Sequence, residues 1–245
     1  IDGAGLEVES LFKLEVPVKL ICVAPSHHKP TGEALSMSRR KKLLYWADEN
    51  EVYVVEDDYE SEYRYTGRPL PALQGMDTAD RVFHLSCFWR VLWPEVRLGF
   101  LVVPRCLKDL MRVAKIFGER DLPLVDQLAL TDFINEGHLE RYISQARRLF
   151  KRRRETIVNI LAVELGSVIE FGAANAATNL LIRLRPPASD NGVIVAARKA
   201  GLELISTAPY YSDEAKEGEY ILPLSNIKDE DIENAVRLFA SELMN

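Results

Sequence analysis

Five polar side chains stand where apolar runs begin or end: Asp57 and Tyr59 after Val52–Val55, Cys87 and Arg90 after Val82–Leu85, and Arg97 just ahead of Phe100–Val103. A carboxylate, a phenol, a thiol and two guanidiniums can hold an anion or a zwitterion through charge-assisted hydrogen bonds. Arginine keeps its proton at any ordinary pH, so Arg90 and Arg97 provide neither a nucleophilic amine nor a proton shuttle. Each residue has a plainer reading beside this one. Asp57 can cap a helix or sit in a loop, Arg97 can form a salt bridge beneath the adjoining strand, and Arg90 can be a surface or ion-pair residue.

Other chemistries find less support. His27 and His28 are adjacent, and neighbouring side chains on extended backbone point to opposite sides, which makes a poor joint metal site. No Cys/His/carboxylate spacing suggests zinc, and Gly-x-Ser-x-Gly does not occur. Cys22, Cys87 and Cys106 are an odd number without Cys-x-x-Cys spacing, which fits a reducing compartment and makes the cytoplasm the expected location. Net charge is −6, and the one strong basic run, Arg147–Arg154, lies inside a helical pattern. A solvated helix face is the expected reading of that run, and nucleic-acid binding by this chain alone is not expected. No apolar run reaches the ~18 residues needed to cross a bilayer, and the start Ile1-Asp2-Gly3 has neither an initiator methionine nor the pattern of a signal peptide.

The elements that must position these groups are legible as periodicity. Leu20–Val23, Val52–Val55, Val82–Leu85 and Phe100–Val103 read as buried strands. Leu43, Leu44 and Ala47 predict a helix over Ser38–Asn50, begun by a serine cap, so the first two strands form a β-α-β unit. The polar groups then fall at strand ends, where open α/β sheets place ligands. Three helices follow, at Leu107–Phe117, Val125–Asn135 and Leu139 to about Glu164. Strands at Ser167–Phe171, Asn179–Leu184, Glu203–Ile205 and Tyr220–Leu224 alternate with helices at Gly192–Ala200 and Asp229–Met244, which predicts a second, smaller α/β lobe. The expected organisation is 1–135 as one lobe and 136–245 as a linking helix with the smaller lobe.

Four segments in order carry a family resemblance: Pro25-Ser26-His27-His28-Lys29-Pro30-Thr31-Gly32; Glu56-Asp57-Asp58-Tyr59 running on to Tyr65; Gly67-Arg68-Pro69-Leu70-Pro71-Ala72-Leu73; and Leu92-Trp93-Pro94-Glu95-Val96-Arg97-Leu98-Gly99 running on to Pro104. With these the chain resembles the aminotransferase-like domain of MocR-type regulators in the GntR superfamily. The resemblance implies an α/β fold of the fold-type-I aminotransferase kind, with a partial large-lobe sheet and a smaller C-terminal lobe. It also implies a ligand-sensing homodimer. DNA would be contacted only through a winged helix-turn-helix absent from this chain.

Carried over by position, Asp57 would pair with the protonated ring nitrogen of pyridoxal phosphate, Tyr59 would hydrogen-bond the ring oxygen, and Arg97 would hold the phosphate. The lysine that links covalently to this cofactor is replaced by Arg90, and Cys87 stands where a hydroxyl donor is expected for the phosphate. Pyridoxal phosphate, if held at all, is therefore expected without a covalent bond. A carboxylate-clamping arginine falls at Ile221, and a small-lobe histidine at Asn179. Asp57 could instead neutralise Arg90. The expected function is a non-catalytic sensing and dimerisation domain taking an amino-acid-like or anionic effector. The alternatives are a scaffold with an empty pocket, and a pyridoxal-phosphate aminotransferase acting between an amino acid and a 2-oxo acid. The enzyme would need another lysine, such as Lys29.

Overall fold

A computed structural model of the chain describes residues 1–65, 67, 69–92, 95–118, 123–172, 178–185, 190–212 and 214–244. Arg68, Trp93 and Pro94 of the motifs above lie outside them. The chain divides into two compact units, one made of Ile1–His28, Glu33–Glu62 and Arg68–Ser144, the other of Lys29–Gly32, Tyr63–Gly67 and Gln145–Asn245.

In the first unit the strands β1 (Leu20–Val23), β2 (Tyr53–Asp58), β3 (Val82–Cys87) and β4 (Gly99–Val102) form one sheet in chain order. β1, β2 and β3 are mutually parallel, and β4 runs antiparallel to β3. Parallel neighbours need a crossover. It is supplied by α1 (Met37–Glu49) between β1 and β2, and by a segment containing the short α2 (Leu73–Met76) between β2 and β3. Leu43, Trp46 and Ala47 of α1 pack with Val52, Val54, Leu73 and Val82 into a core that also holds Val8 and Leu35. Ser36 occupies the cap position of α1, but its hydroxyl meets that of Ser38 at 3.2 Å and makes no hydrogen bond to a helix amide.

Two of the four strands expected to be buried are not. Leu20 in β1 is half exposed, and all four residues of β4 are exposed, Phe100 at 45 %. Both are edge strands. An apolar sequence makes burial favourable but does not supply the layer that would cover the strand. The same holds for α3 (Lys108–Gly118) and α4 (Leu124–Asn135), which form as helices yet bury none of their described residues. Phe117 is 85 % exposed.

The second unit takes most of α5 (His138–Leu165) and a sheet of β5 (Ile169–Phe171), β6 (Asn179–Leu184), β7 (Ile205–Ser206) and β8 (Glu219–Pro223) in the order β5-β6-β8-β7, antiparallel throughout. Ile157, Leu161 and Leu165 of α5 pack on Leu180, Ile182, Tyr220 and Leu222 of the sheet, together with α6 (Asp190–Lys199) and α7 (Ile232–Met244). No described helix is long and apolar enough to cross a membrane.

Candidate functional site

Register brings the polar strand ends together. Asp57 lies opposite Leu85 and Asp58 opposite Ser86 in the β2–β3 pair, while Cys87 lies opposite Gly99 in the β3–β4 pair. A Cβ on Gly99 would come within 2.7 Å of the Ser86 carbonyl oxygen, so this approach of β4 to β3 requires glycine. Past Cys87 the chain turns: the Phe88 carbonyl accepts from the amides of Val91 at 3.1 Å and Leu92 at 2.8 Å, and the Phe88 amide donates to the Leu98 carbonyl at 2.9 Å. That turn carries Trp89 and Arg90. Between it and the start of β4 is a cavity of about 390 Å³ lined by Cys87, Trp89, Arg97, Leu98 and Gly99, a volume suited to a small molecule.

Of the five residues singled out in the sequence, Cys87 and Arg97 line this cavity, and Arg90 lies on the turn beside it. The Arg90 guanidinium lies over the Trp89 ring, 4.1 Å from its centre, and 5.8 Å from the centre of the Tyr59 ring. Asp57 and Arg90 make no direct salt bridge, but Arg90 pulls on the Asp57 carboxyl from a longer distance, and the guanidinium is also faced by an aromatic surface. Desolvation and then the neighbouring Asp58 push the Asp57 carboxyl above its ordinary value, against a pull from Arg90. Burial raises the Cys87 thiol, so it meets a ligand as a neutral, weak donor. The Tyr59 hydroxyl donates to the His27 carbonyl oxygen at 2.6 Å, which ties the loop after β1 to the end of β2.

Beneath these groups lies an anchor that the motif reading passed over. Glu56 is buried and accepts from the amides of Leu73 at 2.7 Å and Gln74 at 3.0 Å, and from His84 Nδ1 at 3.0 Å. Burial raises its carboxyl, but the bonds from His84 and the two amides outweigh it and hold the carboxyl below its ordinary value. His84 is raised in turn, chiefly by Glu56. Arg40, fully buried, stands 4.0 Å from Glu56 and donates to the carbonyls of Leu35, Pro71 and Pro25. Strand alternation was the available signal: Glu56 shares the face of Val52 and Val54 and must be buried with them.

The remaining sequence-named residues are placed in the second unit. Ile221 is buried in β8 opposite Leu181 and Ile205, and its hydrocarbon side chain has no donor for a carboxylate. Asn179 begins β6 opposite Pro223. The Lys29 ammonium lies 5.5 Å from the centre of the Tyr210 ring. In the basic run, Arg152 and Arg153 both pair with Asp229, and Lys151 lies 3.9 Å from Glu155.

The site fits part of pyridoxal phosphate. Arg97 in the cavity wall suits a phosphate, and Asp57 suits a protonated ring nitrogen. The covalent link does not fit, because the side chain following Trp89 is a guanidinium.

No protein-family model matches the chain. It is 33 % identical over 231 residues to the HTH-type transcriptional regulator YhdI of Bacillus subtilis, covering 94 % of this chain and 49 % of that protein. It is 35 % identical over 202 residues to the probable rhizopine catabolism regulatory protein MocR of Rhizobium meliloti, covering 82 % of this chain and 40 % of MocR. The chain spans about half the length of the curated relatives it matches. Its fold is that of a kynurenine aminotransferase from Pyrococcus horikoshii, solved with PMP, at a TM-score of 0.87 and 24 % identity over all of this chain and 62 % of that one. The chain is therefore a homologue of MocR-type HTH transcriptional regulators, with the fold of fold-type-I aminotransferases.

Proposed function

We propose that the chain is the ligand-sensing and dimerising portion of a MocR-type transcriptional regulator, one that holds its effector without transforming it. The observation that carries this reading is the guanidinium of Arg90, stacked on Trp89 at the end of β3 where amino-group transfer needs an amine. DNA would be bound by a winged helix-turn-helix outside these 245 residues, in the cytoplasm. Residues 1–135 would serve as the later part of a large lobe, and 136–245 as the linking helix and small lobe.

In this reading Arg97 holds an anionic group, Arg90 adds a second cationic contact, Cys87 contributes a weak donor, and Asp57 and Tyr59 face the ring of an aromatic ligand. The effector is anionic or amino-acid-like, and pyridoxal phosphate would be held noncovalently. That group supplies an electron sink when bound; the side chains here bind and orient it. Uncovered apolar faces on β4, α3 and α4 support association with a second copy.

The test is an absorbance titration of the 245-residue chain with pyridoxal phosphate before and after borohydride, with intact mass as the second readout. Saturable binding with no mass adduct is the expected result. An adduct on a single lysine would establish the enzyme reading instead, and no binding of pyridoxal phosphate or other small anions would leave only a scaffold.

A further inference from the structure

One guanidinium, Arg97, lines the cavity and a second, Arg90, lies behind its Trp89 wall, with no direct salt bridge to either among the described residues. Arg90 Nε is shielded from solvent without a hydrogen-bond partner. A positive ligand would meet two guanidiniums, and a monoanion held by Arg97 would leave Arg90 with only the longer-range pull of Asp57 and no direct anionic contact. A flat ligand suits the walls, since Trp89 presents a ring and Leu98 a hydrocarbon surface.

From this geometry we infer that the site takes a small planar ligand bearing two acidic groups, one for Arg97 and one for Arg90, and selects by the charge facing Arg90 with no need of an aldehyde. This rests on the reading of the cavity as a sensing site and names the class of effector within it. Replacement of a lysine by an arginine then has a positive consequence: a point of covalent capture becomes a fork that recognises a carboxylate or phosphate.

The experiment compares three ligands on the 245-residue chain by titration calorimetry: pyridoxal 5′-phosphate, pyridoxamine 5′-phosphate, and 4-pyridoxic acid 5′-phosphate, in which a carboxylate replaces the aldehyde. The acid is expected to bind about tenfold or more tighter than the amine, whose ammonium faces a like charge. Arg90→Gln should bring the two within about twofold of each other while binding persists, and Arg97→Gln should weaken all three. Arg90→Lys keeps the cation and so should keep the preference for the acid. It should also form a borohydride-stable adduct with the aldehyde alone, as the new amine condenses with it, loses water and takes hydride. Equal affinities for the three ligands, or a preference that survives Arg90→Gln in a variant with a normal melting transition, would overturn the inference while leaving an anion-binding site. Failure of all three to bind would overturn the sensing reading itself.

Discussion

The guanidinium of Arg90 rests 4.1 Å from the centre of the Trp89 ring and makes no direct salt bridge with Asp57, on which it acts from a longer distance. The ring's electron-rich face holds the charge without neutralising it, so the cation remains available to an anion. Trp89→Ala should therefore weaken binding of pyridoxal phosphate about two- to fivefold, the equivalent of about 0.5–1 kcal/mol, and Trp89→Phe should retain most of the affinity. Calorimetric titration of the two variants checks this. Equal losses in both would point to a role for the indole other than its face.

Gly99 is held to glycine by the Ser86 carbonyl oxygen 2.7 Å from where a Cβ would stand. Gly99→Ala must push β4 away from β3 at the edge of the cavity. The expected cost is about 1–3 kcal/mol in urea unfolding, with a measurable loss of ligand affinity. An unchanged midpoint and affinity would mean that β4 accommodates the methyl without moving.

The His84–Glu56 contact makes stability depend on pH with a definite sign. Glu56 raises the His84 pKa, so its stabilising share is complete below the ordinary histidine value of ~6.5 and is lost as pH rises through the raised value. The Glu56 carboxyl is lowered, so its share is complete above the ordinary value of ~4.3 and is lost as pH falls through the lowered value. The pair contributes most between those two limits. His84→Gln should cost about 1–2 kcal/mol near pH ~5.5 and distinctly less near pH ~8.5. Melting curves across that range decide the matter, and a cost independent of pH would sink the assignment.

Arg40 donates to three backbone carbonyls from a fully buried position and stands beside Glu56. Arg40→Met removes the charge and three hydrogen bonds, though the Pro25 carbonyl keeps the Leu35 amide as a donor, at an expected cost of about 3–5 kcal/mol. Glu56→Gln in the same background should cost less than Glu56→Gln alone, because the two side chains share one environment. Chemical unfolding of the double-mutant cycle provides the measurement.

By itself the sequence determined the order and kind of the elements, because apolar spacing at two or 3.6 residues is a local property of the chain. Leu20–Val23 and Asn179–Leu184 form strands at the bounds their patterns predict, and the long helix His138–Leu165 runs about one residue beyond its expected limits at each end. It also determined that no lysine follows Trp89, which restricts the chemistry whatever the geometry. Burial was decided elsewhere: β4, α3 and α4 each carry large apolar side chains, yet these stay exposed because a layer must be present to cover them. Tertiary structure also decided partners. Whether Arg90 meets Asp57 or Trp89, whether Glu56 faces solvent or three hydrogen-bond donors, and how closely Gly99 approaches Ser86 depend on strand register and on side chains far apart in sequence. Local composition cannot encode those distances.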